Sequence, residues 1–252
     1  MAISAEKKIQ GIAALPHRND LQLEVLPQPD DTTCGPTCLH AIYRYWNHDV
    51  SLDQVIAEVK PLPNGGTLAV MLACHAIRNG FDAEIYTYNL RMFDPTWFTG
   101  DVDIAEKLRQ QNKHKRGVRF GLATYAYLEF LKLGGRLCFE ELNGQLLRRF
   151  LKKDIPILTG LSATYLYRCA RELDDKYDDV KGDSSGHFVI LSGYDKEARE
   201  ITVADPLRDN PGFRAHYYRI GMDRLIAAIL LGIVTYDSNL LIITPRERSQ
   251  PK

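Results

Sequence analysis

Cys34 sits in PQPDDTTCGPTCLHAIYRYW, residues 27–46, directly ahead of a Gly-Pro pair and an apolar helical stripe. A cysteine at the first position of a helix lies at the positive end of the helix dipole. That position favours the thiolate, the reactive form of the side chain. Gly35 lets backbone approach a substrate, and Pro36 suits the first helical turn. Asp30 and Asp31 act in the opposite sense, because nearby carboxylates disfavour a thiolate. The dipole alone is therefore not enough, and a nucleophilic Cys34 needs a cationic partner, usually His. The alternative is a small buried core residue. Cys38, one turn further into the helix, fits that alternative better. Gln28 precedes Cys34 by six residues. Its amide and the Cys34 N–H can form an oxyanion hole, unless Gln28 is only a polar surface residue.

The partner comes from GHFVILSGYDKEAREITVADP, where His187 opens one apolar run and Asp205 closes the next. A hairpin centred on Lys196 would set His187 and Asp205 opposite each other. Directly opposed residues have Cβ atoms roughly 4.5–5.5 Å apart. An Asp beside a His fixes the ring tautomer and stabilises imidazolium. A slip of one residue would separate them. Among the other histidines, His17, His48 and His114 lie in polar segments. His40 points to another face of the Cys34 helix, and His75 reads as packing. His216, in a Tyr-rich strand, is the rival base.

These residues resemble the papain-like cysteine peptidases, and most of all the bacteriocin-processing, double-glycine-leader peptidases and their soluble relatives. In that family a Gln lies six residues before the Cys-Gly-Pro, as Gln28 does here. The His opens a strand that runs into a Gly-Tyr-Asp turn, as His187 does, and the Asp precedes a Pro, as Asp205 precedes Pro206. The resemblance spans roughly residues 25–90 and 155–210. It implies a papain-like fold, a Cys34–His187–Asp205 triad and a Gln28 oxyanion donor. It also implies a thiol-dependent amide or peptide bond hydrolase without cofactor or metal. Thr33 stands where the exporter peptidases often carry Asp. Without an exporter segment or nucleotide motif, what carries over is the thiol chemistry rather than the double-glycine leader.

The elements that must position these groups follow from periodicity. Residues 21–28 alternate as a strand. Helices are expected over 34–46, over SLDQVIAEV with a Ser51/Gln54 capping box, and from Gly65-Gly66-Thr67 to Asn79, ending at Gly80. EIYTYN is a strand, and residues 102–134 are two helices joined by the basic stretch 113–116. RLCFEEL is strand-like, GQLLRRFLKKD helical and IPILTGLS a buried strand. The acidic stretch 171–185 is an exposed loop, or a lid that favours cationic substrates. HFVILSGY and EITVADP are strands, and a strand at FRAHYYRI, a helix over 221–231 and a strand at LLIIT complete the chain. The expected class is α+β, with an N-terminal helical lobe packed on an antiparallel sheet. The expected organisation is an extension (1–20), one domain (21–245) and a polar tail (246–252).

The chain has 252 residues, with 32 basic and 32 acidic side chains and no net charge. Such a balance does not draw a protein to nucleic acid or anionic membrane. The apolar run at 225–234 is too short to span a bilayer. Five irregularly spaced cysteines and no apolar leader point to free thiols and the cytoplasm. The expected partner is a peptide or small amide substrate. Three rival readings remain. One is an acyl- or peptidyl-transferase of the phytochelatin-synthase type on the same scaffold. Another is a metal or redox module built on Cys34, Cys38, His40, Cys74 and His75. The third is an inactive peptide-binding module.

Overall fold

Runs that are apolar at consecutive positions must be covered on both faces, and two such runs, in residues 155–162 and 187–194, lie side by side at the centre of this fold. The structure, a computed structural model, describes residues 18–63, 65–174 and 176–246. In chain order the first elements are β1 (Arg18–Asp20), α1 (Cys34–Tyr45), α2 (Leu52–Glu58), α3 (Ala69–Arg78) and β2 (Phe81–Thr87). Next come α4 (Ile104–His114), α5 (Val118–Lys132), β3 (Arg136–Cys138), α6 (Gly144–Leu151), β4 (Ile157–Ser162) and α7 (Ala163–Tyr167). A small hairpin follows, β5 (Glu172–Leu173) and β6 (Lys176–Tyr177), and then β7 (Gly186–Asp195), β8 (Glu200–Ala204) and β9 (Tyr217–Gly221). The last elements are α8 (Met222–Leu231) and β10 (Asn239–Pro245).

The main sheet runs β3-β2-β10-β4-β7-β8-β9, with β1 also paired to β7. All pairs are antiparallel except β2–β3. The expected α+β class is therefore what the structure has. Alternate residues of β7 serve two cores. Phe188 and Ile190 join Leu39, Ile42, Leu72 and Phe130 of α1, α3 and α5. Val189 and Leu191 join Leu147, Leu166, Leu225 and Ile229 of α6, α7 and α8. Each such side chain contributes about 1.5–3 kcal/mol on full burial. The helical lobe expected from the sequence covers one face of the sheet, and α6, α7 and α8 add a second helical layer on the other.

Several local expectations change. Residues 21–28 alternate in burial as a strand would, with Leu23 and Val25 inward, but belong to no ladder. Their backbone is held instead by Tyr217, whose hydroxyl accepts from the Val25 N–H and donates to the Leu23 carbonyl. Only half of the capping box forms. Ser51 accepts from the Gln54 N–H, while the Gln54 side chain turns to Glu58. Gly65 and Gly66 are not the helix start but a loop ahead of it, with φ of +82° and +71°. The acidic stretch carries the β5–β6 hairpin, and Arg171 donates to the carbonyls of Asp179 and Val180 within it. Residues 1–17 of the expected extension and 247–252 of the expected tail lie outside the described residues, as does Asp175 of the acidic stretch. Among the described residues no helix is long and apolar enough to cross a membrane.

The N-terminus of α1 is pressed onto β7. The Cys38 thiol donates to the Phe188 carbonyl at 3.3 Å. A Cβ at Gly35 would lie 2.6 Å from Thr67 Cγ2 and 3.2 Å from Phe188 Cδ2. Overpacking of this kind costs about 1–3 kcal/mol. Gly35→Ala is expected to lower stability by that amount in denaturant titration. Adding Thr67→Ser, which removes the crowding methyl, returns part of the loss.

Candidate active site

The candidate residues gather where the start of α1 meets the open ends of β7 and β8. Cys34 is the first residue of α1, His187 the second residue of β7, and Asp205 the residue after β8. The three are almost fully buried, at 8%, 7% and 0% relative exposure. Cys34 and His187 line the same cleft, and Cys34 is one of the groups that act on the His187 imidazole. His187 Nε2 donates to Asp205 Oδ1 at 2.8 Å. With Nε2 committed, Nδ1 is the ring nitrogen left to exchange a proton with the sulfur.

The route by which His187 meets Asp205 differs from the hairpin drawn from sequence. Next to the turn the register is Asp195↔Glu200, Tyr194↔Ile201 and Gly193↔Thr202. Continued without interruption, that register would oppose Asp205 to Ile190, on the other face of the sheet from His187. A bulge at Ser192 resets the ladder to Leu191↔Val203 and Ile190↔Ala204. The extra residue restores parity, so Asp205 falls on the face of His187 as its diagonal neighbour, two positions from directly opposite. The Ser192 carbonyl accepts from the Leu21 N–H at 2.6 Å, which ties the bulge to the segment following β1.

Asp205 carries four hydrogen bonds on its carboxylate. Oδ1 accepts from His187 and from the Leu207 N–H at 2.9 Å. Oδ2 accepts from the Tyr167 and Tyr218 hydroxyls, each at 2.7 Å. Burial pushes this carboxyl up, but the His187 charge and these donors hold it below the ordinary carboxylate range. Burial likewise works against charge on His187. The Asp205 carboxylate, its hydrogen bond to the ring and the neighbouring Cys34 outweigh it and raise the imidazole to about 10. Phe213 stacks on Tyr218 with centroids 3.8 Å apart. Tyr167 and Tyr218 escaped the sequence reading, since nothing in a single sequence ties either tyrosine to Asp205. His216, the rival base, holds the Asp205 backbone instead: its Nδ1 donates to the Asp205 carbonyl, and its own carbonyl accepts from the Asp205 N–H.

Gln28 reaches this corner through its backbone, whose N–H donates to the Pro206 carbonyl at 3.0 Å. Its side-chain Nε2 donates to the Asp30 carbonyl at 2.8 Å, and its buried Oε1 has no partner. Cys38 is fully buried, and burial raises its thiol well above the ordinary range. The other members of the metal reading are dispersed. Cys74 points to the Ala126 carbonyl, and His75 bridges Tyr43 and Glu58. Among the described residues no group of three or more His, Cys, Asp or Glu is placed to hold a metal ion. Cys34 and His187 open onto a cleft of about 270 Å³, whose lining also includes Asp31, Gly66, Arg119 and Asp237.

Two predictions follow from the saturated carboxylate. Removing a hydrogen bond to a charged group costs about 1.5–3 kcal/mol, so Tyr218→Phe is expected to lose that much stability in denaturant titration. The His187–Asp205 pair also sets a pH window. His187 is raised from 6.5, so its contribution is complete below about pH 6.5 and is lost as pH rises towards about 10. Asp205 is lowered from 3.8, so its contribution is present above that pH and is lost as pH falls below it. The melting temperature of the wild type relative to His187→Gln is expected to peak between those limits and to narrow on either side.

Residues 141–222 match the sequence profile described as the Peptidase_C39 like family. The matched stretch holds His187 and Asp205, while Gln28 and Cys34 lie outside it. No curated protein matches the chain significantly. Among solved structures, one similar chain is a double glycine motif protease from an AMS/PCAT transporter, in complex with the leader peptide. It is 15% identical with a TM-score of 0.44, over 90% of this chain and 95% of that one. Another is the peptidase domain of Streptococcus ComA, a bi-functional ABC transporter involved in a quorum sensing pathway, at 12% identity and a TM-score of 0.41, covering 89% and 99%. A third is xylellain, a cysteine protease from Xylella fastidiosa, at 16% identity and a TM-score of 0.43, covering 98% and 91%. Through the segment that carries His187 and Asp205, the chain is similar in sequence to the Peptidase_C39 like family.

Proposed function

We propose that this protein is a cysteine peptidase, a thiol-dependent hydrolase of amide or peptide bonds. The observation that carries the reading is Cys34 and His187 on the wall of one cleft, with the His187 ring hydrogen-bonded to the buried Asp205 carboxylate. A merely structural cysteine does not need a buried imidazole whose far nitrogen is held by a four-fold-bonded carboxylate.

In the reaction the Cys34 thiolate attacks the substrate carbonyl carbon, and the carbonyl oxygen becomes an oxyanion. The Cys34 N–H, at the start of α1, is one donor to it. Gln28 is the other. One N–H of its Nε2 is taken by the Asp30 carbonyl, which turns the nitrogen end of the amide rather than the oxygen end in that direction. The second N–H remains to be offered. His187 Nδ1–H gives its proton to the leaving amine, the C–N bond breaks and an acyl-enzyme thioester remains. A water then gives its proton back to His187 and attacks the thioester, releasing the acid and the thiolate. Throughout, Asp205 holds Nε2–H and the ring tautomer.

Cys34→Ala is expected to abolish hydrolysis of a general peptide substrate such as casein while the fold persists. Iodoacetamide is expected to label Cys34 ahead of Cys38. Equal cleavage by wild type and Cys34→Ala, or earlier labelling of Cys38, would sink the assignment. Gln28→Glu replaces a donor by an acceptor and is expected to lower kcat about 10²–10³-fold with little change in KM. An unchanged kcat would remove Gln28 from the oxyanion hole.

A further inference from the structure

The acyl-transfer reading makes no use of one buried carboxylate in the same cleft. Asp237 is 5% exposed and lines the cavity with Cys34 and His187. Its Oδ1 accepts from the Ala69 N–H at the start of α3, at 2.9 Å, and lies 3.5 Å from Asn239 Nδ2. Its Oδ2 takes no hydrogen bond from any described residue. The fold holds Asp237 in place at some cost. Tyr236, just before it, has a left-handed backbone with φ of +68°, which is uncommon for a bulky residue. Asn89 donates to the Tyr236 carbonyl, and the guanidiniums of Arg91 and Arg119 cover the Tyr236 ring at 4.9 and 5.3 Å. A Cβ at Gly160 would lie 2.6 Å from Asp237 Cβ, so a glycine is what admits the side chain there.

The groups around the carboxylate leave its charge poorly matched. Arg119 and Tyr127 of α5 act on it electrostatically, Ala69 and Asn239 bond Oδ1, and Cys34 and His187 share the cleft. Arg119 is the one cation among these apart from His187, which is paired with Asp205. The Arg119 guanidinium donates to the Thr235 carbonyl and covers Tyr236, so it does not bond Oδ2. Burial pushes the Asp237 carboxyl up to about 7, against the pull of the Ala69 N–H and Arg119. A carboxylate in such a position gains from a bound cation with donors to spare.

We infer that Asp237 is a specificity-determining residue, which holds a primary ammonium group of the substrate in the cleft beside Cys34. The inference rests on the reading of this cleft as the acyl-transfer site. It assigns the preference for positive charge to Asp237 and not to the acidic loop, since no described residue of 171–185 lines the cavity. The ammonium is either a free α-amino group or a lysine side chain, which offer the same chemistry.

The test measures adduct formation at Cys34 by mass spectrometry of the Cys34 peptide, with three methanethiosulfonates that carry a methyl, a 2-aminoethyl or a 2-sulfonatoethyl group. The wild type is expected to react faster with the aminoethyl than with the methyl reagent, and slowest with the sulfonate. Asp237→Asn keeps the acceptor for Ala69 and is expected to cut the aminoethyl preference about tenfold or more, with the methyl rate nearly unchanged. Arg119→Gln retains Asp237, removes the competing cation and is expected to raise the preference. An unchanged preference in both variants overturns the inference while leaving Cys34 as nucleophile. Failure of the methyl reagent to label Cys34 at all overturns both readings. Peptide p-nitroanilides with a free or acetylated N-terminus, and with Lys or norleucine, then identify the ammonium. Loss of kcat/KM in Asp237→Asn confined to the free-amino or to the lysine substrates supports the inference and names the source. No loss in either arm overturns it.

Discussion

The site depends on a carboxylate that has been removed entirely from water. Placing Asp205 at zero exposure is expensive unless every lone pair finds a donor. His187, the Leu207 N–H, Tyr167 and Tyr218 supply those donors from four different parts of the fold. The same burial makes the carboxylate effective on its neighbour, because in a poorly polarisable interior its charge and hydrogen bond, together with Cys34, outweigh the desolvation of the ring. A half-solvated Asp at this position would orient His187 less firmly and raise its basicity less.

The second helical layer and the β9 edge of the sheet supply part of this arrangement. Tyr167 ends α7, and Tyr218 comes from β9, whose pairing with β8 also brings His216 onto the Asp205 backbone. Phe213 packs against the rings of both tyrosines. The thiol comes from the opposite layer. Cys34 is carried to the strand ends by α1, whose close approach to β7 requires Gly35 and uses Cys38 as an anchor. The site is a seam between two cores that share one sheet.

Much of this was legible in the residues. The α+β class, the helix beginning at Cys34, the buried strand opening at His187 and a second strand leading to Asp205 all follow from periodicity. The pairing of His187 with Asp205 was reached by a hairpin register that the structure does not have. Near the turn the ladder is offset by three residues from that expectation, and the bulge at Ser192 reduces the offset to two. Two departures from a plain hairpin restore the shared face. Strand periodicity shows that two residues lie on strands, but parity across a turn depends on every insertion between them.

The sequence by itself determined which side chains are available for the chemistry: a thiol at a helix start, an imidazole opening a buried strand, a carboxylate before a proline, and an amide six residues ahead of the thiol. These are consequences of local order along the chain, where dipole, periodicity and turn chemistry act over a few residues. Only the tertiary structure decided how they are completed. The two tyrosines on Asp205, the role of His216 as a backbone clamp, the Gly65–Gly66 loop at the cleft and the partly unpaired carboxylate of Asp237 all involve residues brought together from distant segments. Burial and charge compensation are properties of that assembled neighbourhood, and no single stretch of the chain contains them.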